Sequence, residues 1–191
     1  YRRQRQMCIR DSVGIECVVI GTGIAKVANT SGKIAADVDA SAVQNSLTMI
    51  GNNGSNALTG TEFNDTLVGG GGNDELTGGL GADKFVFNTA PNAKTGVDTI
   101  KDFESGTDQL VFVRSKFSGI GTGDTLQESA FYAGAGVSSG HDADDRFVFD
   151  TTSGKLYFDK DGSGSAASVL IGVFNPDTSL AATDFRIVDT F

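Results

Sequence analysis

Tryptophan is absent from the 191 residues, histidine occurs once, and proline and cysteine occur twice each. A lone histidine, His141, excludes any site that needs two imidazoles, the HExxH pair of zinc-dependent proteases among them. Two cysteines exclude a disulfide framework. Basic side chains are outnumbered 15 to 24 by acidic ones, for a net charge of −9, and such a surface repels a phosphate backbone, so nucleic acid is not an expected partner. No window approaches the roughly eighteen consecutive apolar residues of a membrane span, and the basic first residues are not followed by the apolar run of a secretory signal. Glutamate supplies only 5 of the 24 acids, and since it is the better helix former, long helices are not expected.

Glycine and aspartate are what the chain has in excess, with 26 and 19 copies. Both are turn residues, and a short carboxylate among exposed backbone carbonyls suits a hard cation. The first twelve residues stand apart. They hold 4 of the 15 basic side chains, and QMCIRDS (Gln6 to Ser12) resembles a translated sequencing adapter, so 1–12 are set aside as a tag. Residues 13–191 then carry 11 basic and 23 acidic side chains, a net −12. Cys8 leaves with the tag, and Cys17, between Ile15 and Val19 in an alternating stretch, is expected to be a buried, inert thiol. On this reading the native chain begins further upstream.

From Gly51 the sequence falls into four rows of nine: GNNGSNALT, GTEFNDTLV, GGGGNDELT and GGLGADKFV. The first place is always glycine (Gly51, Gly60, Gly69, Gly78). The sixth is Asn56, Asp65, Asp74 or Asp83, and the eighth is Leu58, Leu67, Leu76 or Phe85. Six residues turn and three extend, with the eighth side chain inward and its neighbours outward. Two rows make one coil of a parallel β-solenoid, with a turn on each edge. Carboxylates stacked about 4.8 Å apart repel by roughly 3 kcal/mol at an effective dielectric of 20, which a bound cation reverses.

These rows resemble the nonapeptide repeats of RTX proteins, whose β-roll binds Ca2+ between turns stacked on one edge. Carried over by position, the resemblance implies that one edge stacks Gly51, Asn53 and Asn56 on Gly69, Gly70, Gly72 and Asp74. The other stacks Gly60, Glu62 and Asp65 on Gly78, Gly79, Gly81 and Asp83. Asn56, Thr61 and Phe63 depart from the pattern. Downstream, VDTIKDFESGTDQLVF, ADDRFVFDTTSGKLYFDKDGSGSAASVLIGVF and LAATDFRIV resemble the C-terminal region of serralysin-type exoproteins, so the resemblance covers 51–191. It implies further calcium ligands at Asn92 and Asp98, the family having an acid at the first. It also implies an uncleaved type I secretion signal at the extreme C-terminus, which Asp184, Phe185, Ile187 and Val188 fit, with Asp189, Thr190 and Phe191 beyond them.

The expected fold is therefore all-β: a parallel β-solenoid, the calcium β-roll, followed by an antiparallel β-sandwich-like C-terminal cap. Residues 13–50 read as degenerate solenoid rungs, 51–98 as the calcium roll with its exit loop from Asn88 to Gly96, and 99–191 as the cap. Within the cap, DTIKDF, DQLVFV, DRFVFD, KLYFD, SVLIGVF and DFRIV read as strands, TTSG as a hairpin turn, and Leu126 to Phe131 as a short helix. DKDGSGS is a second calcium candidate through Asp159, Asp161 and Ser163, although Leu170 stands where an EF-hand has its bidentate glutamate, which favours a hydrogen-bonded turn.

VVIGTGIAK lacks the third glycine of a dinucleotide loop, and no apolar helix follows GVSSG to make it a nucleophile elbow. The expected function is a calcium-binding folding and secretion module of a larger exported bacterial protein, not itself an enzyme, with a type I secretion apparatus and upstream domains of the same native chain as partners. The localisation that follows is extracellular. A hydrolase fragment using GVSSG and His141, or part of an adhesin, are the alternatives.

Overall fold

A computed structural model describes residues 7–10, 15–19, 32–33, 35, 37–92 and 94–191, the first two segments as backbone only. The expectations for the Cys8 and Cys17 side chains and for the Gly21 and Gly23 segment lie outside these residues. The chain runs through β1 (Met7–Arg10), β2 (Ile15–Val19), β3 (Asp37–Asp39), β4 (Thr48–Ile50), β5 (Ala57–Thr59), β6 (Thr66–Val68), β7 (Glu75–Thr77) and β8 (Lys84–Phe87). It continues through β9 (Asp98–Ile100), β10 (Gln109–Val113), β11 (Phe131–Gly134), β12 (Phe147–Asp150), β13 (Lys155–Phe158), β14 (Val169–Phe174) and β15 (Phe185–Val188). Two 3-10 turns, Glu128–Ala130 and Ala182–Asp184, are the helical elements among the described residues, and no helix there is long and apolar enough to cross a membrane.

From β2 to β10 successive strands alternate between two sheets, as the period of nine requires of the repeat rows. One sheet has the order β1-β2-β4-β6-β8-β10-β15, the other β11-β12-β13-β14-β9-β7-β5-β3. Rows two apart are parallel neighbours in register: Leu58 opposite Leu76, and Leu67 opposite Phe85. These four eighth-place side chains are buried to 1% exposure or less, each contributing roughly 1.5–3 kcal/mol of apolar burial. Met49 and Val38 extend the inward row upstream, on β4 and β3, which pair in parallel with β6 and β5. β1 falls within the residues set aside as a tag, and its backbone pairs antiparallel with β2.

The cap grows out of the roll's own sheets. β9 and β10 continue the parallel ladders beside β7 and β8, and β15 adds in parallel to β10. β14 is parallel to β9, whereas β12, β13 and β14 form the expected antiparallel meander, edged by a parallel β11. The expected helix shrinks to one 3-10 turn because Phe131 already belongs to β11. Phenylalanine fills the space between the sheets: the Phe112 ring lies 4.5–5.6 Å, centroid to centroid, from Phe87, Phe117, Phe147 and Phe185. One apolar core thus runs from the roll into the cap, and it fixes the edges on which the acids stand.

Candidate metal centre

Every sixth-place acid in the roll reaches back one coil. Asp74 Oδ1 accepts the backbone N–H of Asn56 at 2.8 Å, Asp83 Oδ1 that of Asp65 at 2.7 Å, and Asp65 Oδ1 that of Leu47 at 2.6 Å. The two ladders continue beyond the four rows. Asp98 Oδ1 accepts from Asp74 at 3.1 Å on one edge, and Asp108 Oδ1 from Asp83 at 2.9 Å on the other. Asp102 grips the second coil through the N–H groups of Gly78 and Gly79, at 2.9 and 2.8 Å. Asp102 and Asp108 were not among the residues the sequence pointed to, although Asp98-Thr99-Ile100 and Asp108-Gln109-Leu110 repeat the acid-any-apolar triad of the rows.

The second oxygen of each acid separates two kinds of turn. In 60–65 it is turned onto its own turn, Asp65 Oδ2 accepting the N–H of Thr61, and in 51–56 the single amide oxygen of Asn56 accepts the N–H of Asn52 in the same way. Asn52 Oδ1 and the Thr61 hydroxyl brace the same turns by accepting the N–H of Gly54 and Phe63, and no residue other than glycine has positive φ among the described residues. In 69–74 and 78–83 the backbone instead passes through left-handed glycines at Gly70, Gly72, Gly79 and Gly81, with φ between 95° and 116°. There Asp74 Oδ2 is buried without a hydrogen-bond partner. A Cβ on Gly69 or Gly78 would strike Oδ2 of Asp74 or Asp83, so only glycine leaves room beside these oxygens.

Burial makes the charges expensive. It raises Asp74 from 3.8 to about 6, against the help of the Asn56 N–H. Burial raises Asp83 to about 7, reinforced by the negative charges of Asp108, Asp65 and Asp102. Asp98 is pushed well above the usual carboxylate range by burial and then by Asp74, and burial also raises Asp108. Among the described residues no lysine or arginine forms an ion pair with any of these acids. Buried carboxylates left uncompensated call for a cation.

Residues 50–85 match the RTX calcium-binding nonapeptide repeat family, in four copies. The segment is an RTX repeat array. RTX nonapeptide repeats bind calcium. No curated protein matches the chain. Among solved structures, the solution structure of the AlgE6R3 subunit from the Azotobacter vinelandii mannuronan C5-epimerase is similar at 22% identity with a TM-score of 0.49, covering 86% of this chain and 82% of that one.

The RTX turns fit the ion by the chemistry of their donors, which are oxygen throughout, by the buried partnerless Asp74 Oδ2, and by the glycine cradle around it. Asp74 and Asp83, with the turns Gly69–Gly72 and Gly78–Gly81, are the residues that would hold it. A calcium ion held there would offset the negative charge of these acids. The opposing turns are held by contacts of their own. Asn56 and Asp65 already satisfy N–H groups of their own turns, while Asn53 and Glu62 are exposed. Gly51 and Gly60 serve close packing, since a Cβ on either would collide with the carbonyl oxygen of Gly69 or Gly78. Of the two ligands expected after the roll, Asp98 takes its place in the ladder. Asn92 does not: it is exposed on a hairpin loop, where its Oδ1 accepts the Lys94 N–H at 3.0 Å.

The DKDGSGS loop is tied by backbone hydrogen bonds. Asp159 accepts from Asp161 and Gly140, and Asp161 Oδ2 from Ala166, while Ser163 is exposed and donates its own N–H to the Asp142 carbonyl. Asp161 Oδ1 alone is buried without a partner. At His141 both ring nitrogens face carboxylates, Asp145 at 2.7 Å and Asp142 at 3.5 Å, and no serine hydroxyl of GVSSG hydrogen-bonds to the ring.

Proposed function

We propose that this chain is a calcium-triggered folding and export module, carried at the C-terminus of a larger exported protein and handled by a type I secretion apparatus. The observation that carries the reading is the pair of ladders of buried, uncompensated carboxylates, which cost stability without calcium and hold the coils together with it. Extracellular modules commonly bind calcium at roughly 0.1–1 mM, far above cytosolic levels, so the same sequence stays open inside the cell and closes outside. The closing segment supports that order of events. Asp184 is buried, accepting the Ser105 hydroxyl at 2.8 Å and the Gly106 N–H at 3.0 Å, and Phe185 and Ile187 are buried in β15. A signal there is readable only before the cap folds.

Circular dichroism of the full chain in chelator, in Mg2+ and in Ca2+ tests the switch. Native β signal is expected in Ca2+ alone, because magnesium demands a strict octahedron and keeps its water. Full signal in chelator near neutral pH refutes it. Export is tested separately, by fusing residues 142–191 to a passive reporter: transport through a type I apparatus without calcium is expected, and its absence refutes the secretion role while leaving the calcium switch standing.

A further inference from the structure

The chain's one imidazole sits in the cap, away from the repeats, in the loop between β11 and β12. Asp145, 2% exposed at its side chain, holds it: Asp145 Oδ2 accepts the N–H of His141 at 2.7 Å, that of Asp142 at 3.1 Å, and the ring Nδ1–H at 2.7 Å. A carboxylate that takes two backbone N–H groups is the acceptor, so Nδ1 carries a proton and Nε2 is the ring atom left to take either a second proton or a metal. The Tyr132 ring stacks on the imidazole at 4.5 Å and 28°. Asp142 is anchored in the same manner, its Oδ1 accepting the N–H of Asp144 at 3.1 Å and of Asp145 at 3.3 Å. The two unanchored atoms, His141 Nε2 and Asp142 Oδ2, then face each other at 3.5 Å. Ligand atoms of His141, Asp142 and Asp145 all lie within 4.8 Å of one another.

We propose that His141 Nε2 and Asp142 Oδ2 form a binding site for a zinc-type divalent cation, with Asp145 as the positioning residue behind the ring and solvent completing the shell. The distance leaves room for an ion between two side chains that solvent reaches. A charge-assisted hydrogen bond would draw the two atoms to about 2.7–2.9 Å. A metal with bonds of about 2.0–2.2 Å to each would subtend about 115° across 3.5 Å, near the tetrahedral angle. A carboxylate bonded to the far nitrogen of the imidazole is also the usual support of a metal-ligating histidine. Imidazole nitrogen suits zinc and poorly suits calcium, so this site would be chemically distinct from the roll. Arg146, in the same loop, gives its guanidinium to the carbonyls of Gly119, Ala143 and Asp145, and among the described residues no lysine or arginine forms an ion pair with Asp142 or Asp145.

The test uses the full chain saturated with Ca2+, titrated with Zn2+ and followed by nitrogen NMR of the imidazole, which a single histidine makes unambiguous. Zn2+ is expected to shift Nε2 while Nδ1 stays protonated. Asp142→Asn should weaken binding about tenfold or more, as should Asp145→Asn through the ring's orientation, and His141→Gln should abolish the zinc binding seen by calorimetry while leaving the calcium midpoint of folding unchanged. A ring that titrates with pH but ignores millimolar Zn2+ overturns the proposal. So does a zinc shift that Asp142→Asn leaves unaltered.

Discussion

Without calcium, lowering the pH from about 8 to about 5 should stabilise the roll; with calcium bound, the same change should weaken it. The sign follows from the direction of the shifts. An acid whose folded-state value is raised holds its proton in the fold when the unfolded chain has released it, so stability falls as pH rises through the window between the two values. That window runs from 3.8 to about 7 for Asp83 and from 3.8 to about 6 for Asp74. The portions above pH 5 correspond to roughly 3 and 1 kcal/mol, and solvent screening at a turn edge halves the sum to about 2 kcal/mol, some thirtyfold in the folding equilibrium. Calcium reverses the order because it needs the ionised form, and protons then compete with it.

Circular dichroism of the calcium-stripped chain at both pH values, where the β signal should grow toward pH 5, and urea unfolding in saturating calcium read the two halves of the effect. His141 is also raised, through its hydrogen bond to Asp145, and favours low pH in both buffers; it drops out of the comparison, as a His141→Gln background would verify. Calcium-free stability that increases toward pH 8 would refute the reasoning, since the buried acids would then have partners that the geometry does not give them.

Asp83→Asn should raise the calcium midpoint of folding more than Asp74→Asn, because Asp83 shares its edge with three further carboxylates, and Asn56→Asp should lower it at low salt; the reverse ranking in a calcium titration would mean that turn geometry outweighs charge. Gly79→Ala meets both a φ of 104° and the Thr61 carbonyl, so it should cost more in thermal melts than Gly121→Ala, which has a φ of 88° in open space and should cost only about 1 kcal/mol. Phe112→Ala should cost about 3–5 kcal/mol in urea unfolding, whereas Phe63→Ala, at an exposed turn, should stay within about 0.5 kcal/mol.

The roll was legible because one short period dictates both its turns and its core: glycine at the first place, an acid at the sixth and an apolar residue at the eighth each answer a separate physical demand. Legibility failed where the spacing broke. Asp98 stands 24 residues after Asp74, and Asp108 stands 25 after Asp83, instead of 18. The loops that lengthen these coils hide two further rungs inside what reads as a separate cap. The strands from Asp98 onward were legible by alternation, but alternation says nothing of partners, so their fusion with the roll's sheets could not be read. Nor could the difference between the braced turns and the left-handed ones. Thr61 and Asn52 hold their turns by side-chain hydrogen bonds, a substitution that a pattern of glycines registers only as a mismatch.

The carboxylate ladder has a direction. Each acid rung receives an N–H of the coil before it, while the strands return backbone N–H groups such as those of Glu75 and Lys84 to carbonyls of that earlier coil; even Leu47, which has no acid to offer, is held by Asp65. At the far end Asp98 and Asp108 close the two rows, and without them the buried N–H groups of Asp74 and Asp83 would have no acceptor. Growth by duplication is therefore asymmetric. Coils can be added or lost on the upstream side with the terminator untouched, while any insertion between Asp83 and Asp108 must rebuild it.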